Sequence, residues 1–174
     1  MAQILIIGER LNSSNTRIRE LLEKRDEKKL LEVAEAQLSA GAFAVDLNAS
    51  MLMEDERETL LWAARVIRSK LDATVSLDTP KADLLLELAA EFKEGAILNS
   101  FTADEHEMER AIEAAGRTGS AVIIMLKSGE GIPETAMLRL DLASRVSALV
   151  RRSGLDTSRV FLDPVLTPLS LIHI

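Results

Sequence analysis

Six places along the chain put a carboxylate, an amide or an ammonium group at or just after the end of a short apolar run. Ile4–Ile7 leads into Gly8-Glu9-Arg10-Leu11-Asn12, Phe43–Val45 into Asp46-Leu47-Asn48, and Thr74–Leu77 into Asp78-Thr79. Ala96–Leu98 ends on Asn99-Ser100, Val122–Met125 reaches Lys127, and Val160–Leu162 ends on Asp163-Pro164. A carboxylate such as Asp78 or Asp163 accepts two hydrogen bonds side by side. It therefore suits an amidine-like edge, an N–H beside an exocyclic amine, as in guanine or pterin rings. Asn99 offers a donor and an acceptor to an edge carrying both. Asp46 and Asn48 lie two apart, so an extended strand turns both to one side. Glu9, Arg10 and Asn12 read either as pocket groups or as an internal ion-pair cluster. Structural roles compete with each of these: Asp78 could cap a helix opened by Thr79-Pro80, Asp163 could serve a turn, and Asn99 could tie up loop backbone.

Other chemistries lack raw material. There is no cysteine, which removes thiol catalysis, disulfides and thiolate metal ligands, and suits a cytoplasmic protein. The two histidines are His106, among the acids of a helix start, and His173, so neither a zinc site nor a Ser-His-Asp triad is expected. No carboxylate cluster demands magnesium. Lys127 opens Ser128-Gly129-Glu130-Gly131-Ile132-Pro133, a βα loop with a conceivable phosphate role. A net charge of -7 and only 3% aromatic residues argue against nucleic acid as a partner. No apolar run approaches the roughly 18 residues of a membrane span, and the start lacks the basic region of a signal peptide.

The groups above need elements to hold them. Between the apolar runs lie stretches of helical period: Leu30, Ala34 and Leu38 between Asp26 and Gly41, then Leu60, Ala64, Ile67 and Leu71. Leu85, Leu88 and Phe92 follow Pro80, placed here in a first helical turn; Met108, Ile112 and Ala115 precede Gly119; Leu138, Leu142, Val146 and Leu149 precede Gly154. Strands apolar on both faces alternating with such helices predict a buried, right-handed parallel sheet in one domain. Polar groups on so many strand ends favour a (β/α)8 barrel over an open nucleotide-binding sheet, whose glycine-rich turn is missing after the first strand. About six strands are countable, against eight in a closed barrel. The residues Leu169–Ile174 also match the translation of a transposon mosaic-end sequencing adapter, so 169–174 are expected to be a non-native tail, with the start of a native seventh element as the alternative, and His173 is given no chemistry.

Ile6-Ile7-Gly8-Glu9-Arg10-Leu11-Asn12 resembles the IGERxN opening of methyltetrahydrofolate:corrinoid protein methyltransferases and of the folate domain of cobalamin-dependent methionine synthase. The likeness continues in order through Asp46-Leu47-Asn48, Leu77-Asp78-Thr79, Leu98-Asn99-Ser100, Gly131-Ile132-Pro133 and Leu162-Asp163-Pro164, spanning residues 4 to 168. It implies an α/β fold, the (β/α)8 TIM barrel of the pterin-binding type, truncated after about six strands, with 1–168 forming a partial pterin-binding barrel. The same wider group holds dihydropteroate synthase, and Glu9-Arg10 favours the methyltransferase branch. The resemblance gives Asp78, Asn99 and Asp163 the role of hydrogen-bonding the pterin ring. Glu9, Asn12, Asp46 and Asn48 become possible pocket groups beside it. The implied reaction moves the N5 methyl of methyltetrahydrofolate to cobalamin, or another corrinoid, on a corrinoid-binding partner protein. The residue that activates N5 is expected beyond Pro168, which leaves the catalytic residue unknown and the 174-residue chain inactive alone. A homodimer of a full-length protein is compatible with the resemblance. Two other readings stay open: a dihydropteroate synthase-like pterin enzyme, and a non-catalytic pterin-binding or corrinoid-docking subunit.

Overall fold

The computed structural model describes residues 4–92 and 95–166; Pro168 and the 169–174 tail, with His173, lie outside them. Six strands alternate with helices: β1 Ile7–Asn12, β2 Ala44–Asn48, β3 Thr74–Asp78, β4 Ala96–Thr102, β5 Ala121–Met125 and β6 Val160–Asp163. The helices are α1 Thr16–Glu23, α2 Glu27–Ser39, α3 Glu56–Leu71, α4 Ala82–Glu91, α5 Glu105–Thr118 and α6 Ala136–Ser153. All strand pairs are parallel and the spatial order is the chain order, β1-β2-β3-β4-β5-β6. Right-handed crossovers between consecutive neighbours put every helix on the same face of such a sheet.

That face holds the core. Leu11, Val45, Leu47, Val75, Leu77, Ala96, Leu98, Val122 and Ile124 alternate along their strands and pack with the buried stripes of the helices, such as Leu30 and Ala34, Leu60 and Ile67, and Leu85 and Leu88. The helix ends follow sequence chemistry. Asp26 accepts from the Lys29 N–H at 3.2 Å to start α2. Gly119 and Gly154 end α5 and α6 in the left-handed conformation that a side chain disfavours.

Several elements differ from their sequence reading. β1 begins at Ile7, so Gly8–Asn12 is part of the strand; Ile4, Leu5 and Ile6 precede it and are exposed. The register slips between Gly8 and Leu11, and the bulge lets a strand containing Glu9 and Arg10 pair with β2. The buried Gln37 of α2 stabilises that bulge by accepting the Arg10 N–H on Oε1 at 2.8 Å. Helix α1 was not anticipated: Asn15 caps it through the N–H groups of Arg17 and Ile18, although only Leu21 and Leu22 are buried. Pro80 lies just outside α4, whose cap is Lys81. In α6 the buried stripe is Leu142, Val146 and Val150, and Leu138 is exposed.

Candidate functional site

The face of the sheet away from the helices carries the intervening residues. Their register builds a row that no single tripeptide reveals: Asn12 on β1 stands beside Asn48 on β2, Asn48 beside Asp78 on β3, and Asp78 beside Asn99 on β4. Four polar residues on four adjacent strands therefore lie shoulder to shoulder, roughly 4.8 Å apart from strand to strand. One layer deeper, Asp46 pairs with Ser76. The row continues past Asn99 into apolar residues, Ile123 and then Phe161, with Met125 above Ile123 on β5.

Side-chain bonds lock this row. Asn48 donates through Nδ2 to Asp78 Oδ2 at 2.7 Å. Its Oδ1 accepts from the Ser50 N–H at 3.1 Å and hydroxyl at 2.8 Å and from the Ser13 hydroxyl at 3.3 Å. Ser13, itself buried, accepts the Met51 N–H at 3.1 Å, so the β1–α1 and β2–α3 loops are tied together through one amide. Asn48 is thus spent on orienting Asp78, whose Oδ1 has no hydrogen-bond partner among the described residues. Asn99 donates through Nδ2 to Asp46 Oδ1 at 3.1 Å, and its Oδ1 has no hydrogen-bond partner among the described residues. Two neighbouring acceptors, Asp78 Oδ1 and Asn99 Oδ1, fit a ligand edge rich in N–H groups. Asp78 does not cap α4, whose N-cap is Lys81 with no side-chain cap hydrogen bond.

The electrostatics are those of gathered carboxyls. Asp46 is only 2% exposed, and burial pushes its carboxyl up to about 6; Asp78 and Glu9 add like-charge repulsion, while Ser76 and Asn99 favour the charged form. The buried Ser76 hydroxyl has no hydrogen-bond partner among the described residues. Asp78 is likewise raised, first by burial and then by Glu9 and Glu56, against the bond from Asn48. Glu56, 1% exposed at the start of α3, meets Lys81 Nζ at 2.7 Å through Oε2, and its Oε1 has no partner among the described residues. This ion pair links the loop after β2 to the loop after β3, next to Asp78.

Asp163 is not bonded to this cluster. It lies in register with Met125, two residues beyond Phe161, and its Oδ1 accepts the Val165 N–H at 2.8 Å in a tight turn. Asn12 Oδ1 is taken by the Ser14 N–H at 2.9 Å. Lys127 lies in the β5–α6 loop and its carbonyl accepts from Ala103 at 2.8 Å. His106 is exposed on α5. Among the described residues no group of three His, Cys, Asp or Glu could hold a metal ion, and no helix is long and apolar enough to cross a membrane. Ser13, Ser50, Ser76 and Glu56 were not singled out from sequence. A serine pattern so common carries no signal until the register brings it beside Asn48 and Asp46.

A largely apolar cavity of about 270 Å³ lies toward the strand N-termini, lined by Leu5, Ile7, Phe43, Ile97 and Phe161. Residues from both edge strands share it, so the sheet is curled toward a barrel with the polar row above an apolar floor. A cavity of about 650 Å³ between α5, α6 and Arg159 contains none of the row.

Residues 8–170 match the model of the pterin binding enzyme family. The chain belongs to that family. As a pterin-binding family member it is 25% identical over 170 residues to the methylcorrinoid:tetrahydrofolate methyltransferase of Eubacterium limosum, covering 96% of this chain and 62% of that protein. It is 23% identical over 169 residues to the methionine synthase of Mycobacterium tuberculosis, covering 93% of this chain and 14% of that protein. The chain thus spans less than two thirds of the length of either. Among solved structures it resembles the 7,8-dihydropteroate synthase of Vibrio fischeri, with a TM-score of 0.63 at 19% identity over 95% of this chain and 62% of that one. The Burkholderia cenocepacia dihydropteroate synthase complexed with 7,8-dihydropteroate gives 0.63 at 22% identity over 94% and 59%. These likenesses establish the fold, a parallel α/β sheet of the TIM-barrel kind.

Proposed function

We propose that this pterin-binding chain holds the folate in a methyltransferase that moves the N5 methyl group between methyltetrahydrofolate and a corrinoid carried by a partner protein. The observation that carries the reading is the row Asn48, Asp78, Asn99, with two acceptor oxygens left open beside an apolar strip. A pterin has an edge of ring N–H and exocyclic amine for Asp78 and Asn99, and a flat face for Ile123 and Met125. Asp163, with Oδ2 open, supplies a third acceptor from β6. The relatives named for methylcorrinoid and tetrahydrofolate, and for methionine synthesis, favour methyl transfer over other pterin chemistry, and Glu9-Arg10 agrees with that branch.

The role of these residues is orientation and proton control. N5 of the folate leaves the methyl as an amine, so any hydrogen bond or proton supplied there lowers the barrier. Fixing the far edge of the ring on Asp78 and Asn99 sets where N5 and its methyl point, and a preset geometry carries much of the rate of a bimolecular displacement. The corrinoid supplies the methyl-accepting or methyl-donating metal from the partner; this chain supplies the held ring. Asp46, with its carboxyl near 6, is a buried group able to hold a proton close to neutrality, and it is bonded to Asn99. The dihydropteroate synthase neighbours support a second reading, a synthase-like pterin enzyme that would read the same edge.

The deciding experiment compares 5-methyltetrahydrofolate with a dihydropterin diphosphate as ligands of the protein, by calorimetry, and assays methyl exchange with a methylcorrinoid. Tighter binding of methyltetrahydrofolate, or methyl exchange with the methylcorrinoid, supports methyl transfer. Preference for the diphosphate supports the synthase-like reading.

A further inference from the structure

Arg139, in the first turns of α6, has an environment that no surface arginine needs. Its Nε donates to the Pro133 carbonyl at 3.0 Å, and its Nη1 donates to the carbonyls of Pro164 at 2.8 Å and Val165 at 3.3 Å. No carboxylate lies within ion-pair distance of it among the described residues, so its donors go to backbone alone. The guanidinium therefore stitches the β5–α6 loop to the segment that follows β6.

That segment is an unfavourable one for its sequence. Val165 adopts φ 53°, the left-handed region, which a β-branched residue rarely enters. Such a conformation persists only where its surroundings hold it. Two contacts do so. The Val165 N–H donates to Asp163 Oδ1 at 2.8 Å, and Arg139 binds the carbonyls on either side of that N–H's residue. A third contact anchors the base of the turn, from the Leu126 N–H to the Asp163 carbonyl at 2.7 Å. Oδ1 is committed to Val165, Oδ2 of Asp163 has no hydrogen-bond partner among the described residues, and its direction depends on the turn remaining closed.

We propose that Arg139 is a positioning residue for the pterin site: by clamping the Asp163-Pro164-Val165 turn against the β5–α6 loop, it presents Asp163 Oδ2 to the ligand. The inference rests on the proposed pterin-binding role of Asp163. The clamp needs the planar fork of arginine, because directed N–H groups must meet two loops at once, and a lysine keeps the charge but not that geometry.

The test uses Arg139→Lys, Arg139→Ala, Asp163→Asn and the Arg139→Lys/Asp163→Asn double variant of the full chain. Calorimetric titration with 5-methyltetrahydrofolate should show at least tenfold weaker binding in Arg139→Lys and in Asp163→Asn, and a double variant no weaker than Asp163→Asn. Loss through general destabilisation would instead be additive with Asp163→Asn, and that result would overturn the proposal, as would wild-type affinity in Arg139→Lys and Arg139→Ala. A ligand-free arm follows amide exchange at Val165, which should speed up at least tenfold in Arg139→Lys while amides of α2 and α3 keep their protection. Failure of the wild type to bind any pterin would remove the proposed function itself. The exchange arm then still decides the clamp, since unchanged exchange at Val165 contradicts it.

Discussion

At the scale of single residues, the site is a set of side chains whose hydrogen bonds are already half used. Asp78 gives one oxygen to Asn48 and keeps one open, and this predicts the behaviour of its variants. Asp78→Ala should weaken pterin binding by about 1.5–3 kcal/mol, the scale of a lost charged hydrogen bond, with a smaller change in melting temperature. Asp78→Asn should bind as poorly while folding well, because its carbonyl will face the Asn48 donor and its NH₂ will then meet the N–H edge of the ligand. Asp46 predicts a pH dependence. Its carboxyl is raised from 3.8 to about 6 in the folded chain, so between those values the native state holds more proton than the unfolded state, and stability falls as pH rises through that window. The loss amounts to roughly 3 kcal/mol when complete, at about 1.4 kcal/mol per unit. Urea unfolding at pH 4 and pH 7.5 should show Asp46→Asn gaining stability relative to wild type at the higher pH; a pH-independent difference would refute the assignment. These residues were legible as chemistry because Asp, Asn and Asp after apolar runs are unusual in a core. Which of their atoms stay open was not, since that depends on the register and on Ser13 and Ser50.

At the scale of elements, the alternation of apolar runs and helical periods was readable because burial on both strand faces and one helix stripe each leave a strong pattern. The error at β1 has a physical cause. Glu9 and Arg10 look like a strand end, yet a bulge and the Gln37 side chain let the strand run through them to Asn12. Helix α1 escaped notice because it is only eight residues long and its two buried positions, Leu21 and Leu22, are adjacent in sequence. The Gln37 contact also explains Gly8. A Cβ at Gly8 would stand 2.7 Å from Gln37 Oε1 and 3.1 Å from Gln37 Cβ. Gly8→Ala should therefore destabilise the fold by about 1–3 kcal/mol, as overpacking does. Combining it with Gln37→Ala should cost less than the sum of the two single changes, measured by denaturant unfolding. Strict additivity would mean that the glycine serves something other than this contact.

At the scale of the whole molecule, six consecutive parallel strands curl far enough for β1 and β6 residues to share one apolar cavity, but among the described residues both remain edges of the sheet. Ile4 is 86% exposed, and Leu5, Ile6 and Leu162 are also exposed along these edges. Apolar, unpaired strand edges invite association. The 174-residue chain should self-associate at micromolar concentration in sedimentation velocity and bind an apolar dye. A monodisperse monomer that ignores the dye would show that these edges are covered. The barrel-like architecture was legible through its repeated strand-end polarity. The curl and the meeting of four strands in one polar row were not, because both arise from pairing between residues far apart in sequence.

The central claim, that the Asn48–Asp78–Asn99 row reads the N–H edge of a pterin, is tested most directly by calorimetric titration of 5-methyltetrahydrofolate into the wild-type protein and into Asp78→Asn. Saturable one-to-one binding to the wild type, weakened at least tenfold (about 1.4 kcal/mol) in the variant with its thermal unfolding preserved, is the expected result. Equal affinity in both proteins, or no saturable binding to the wild type, would contradict it.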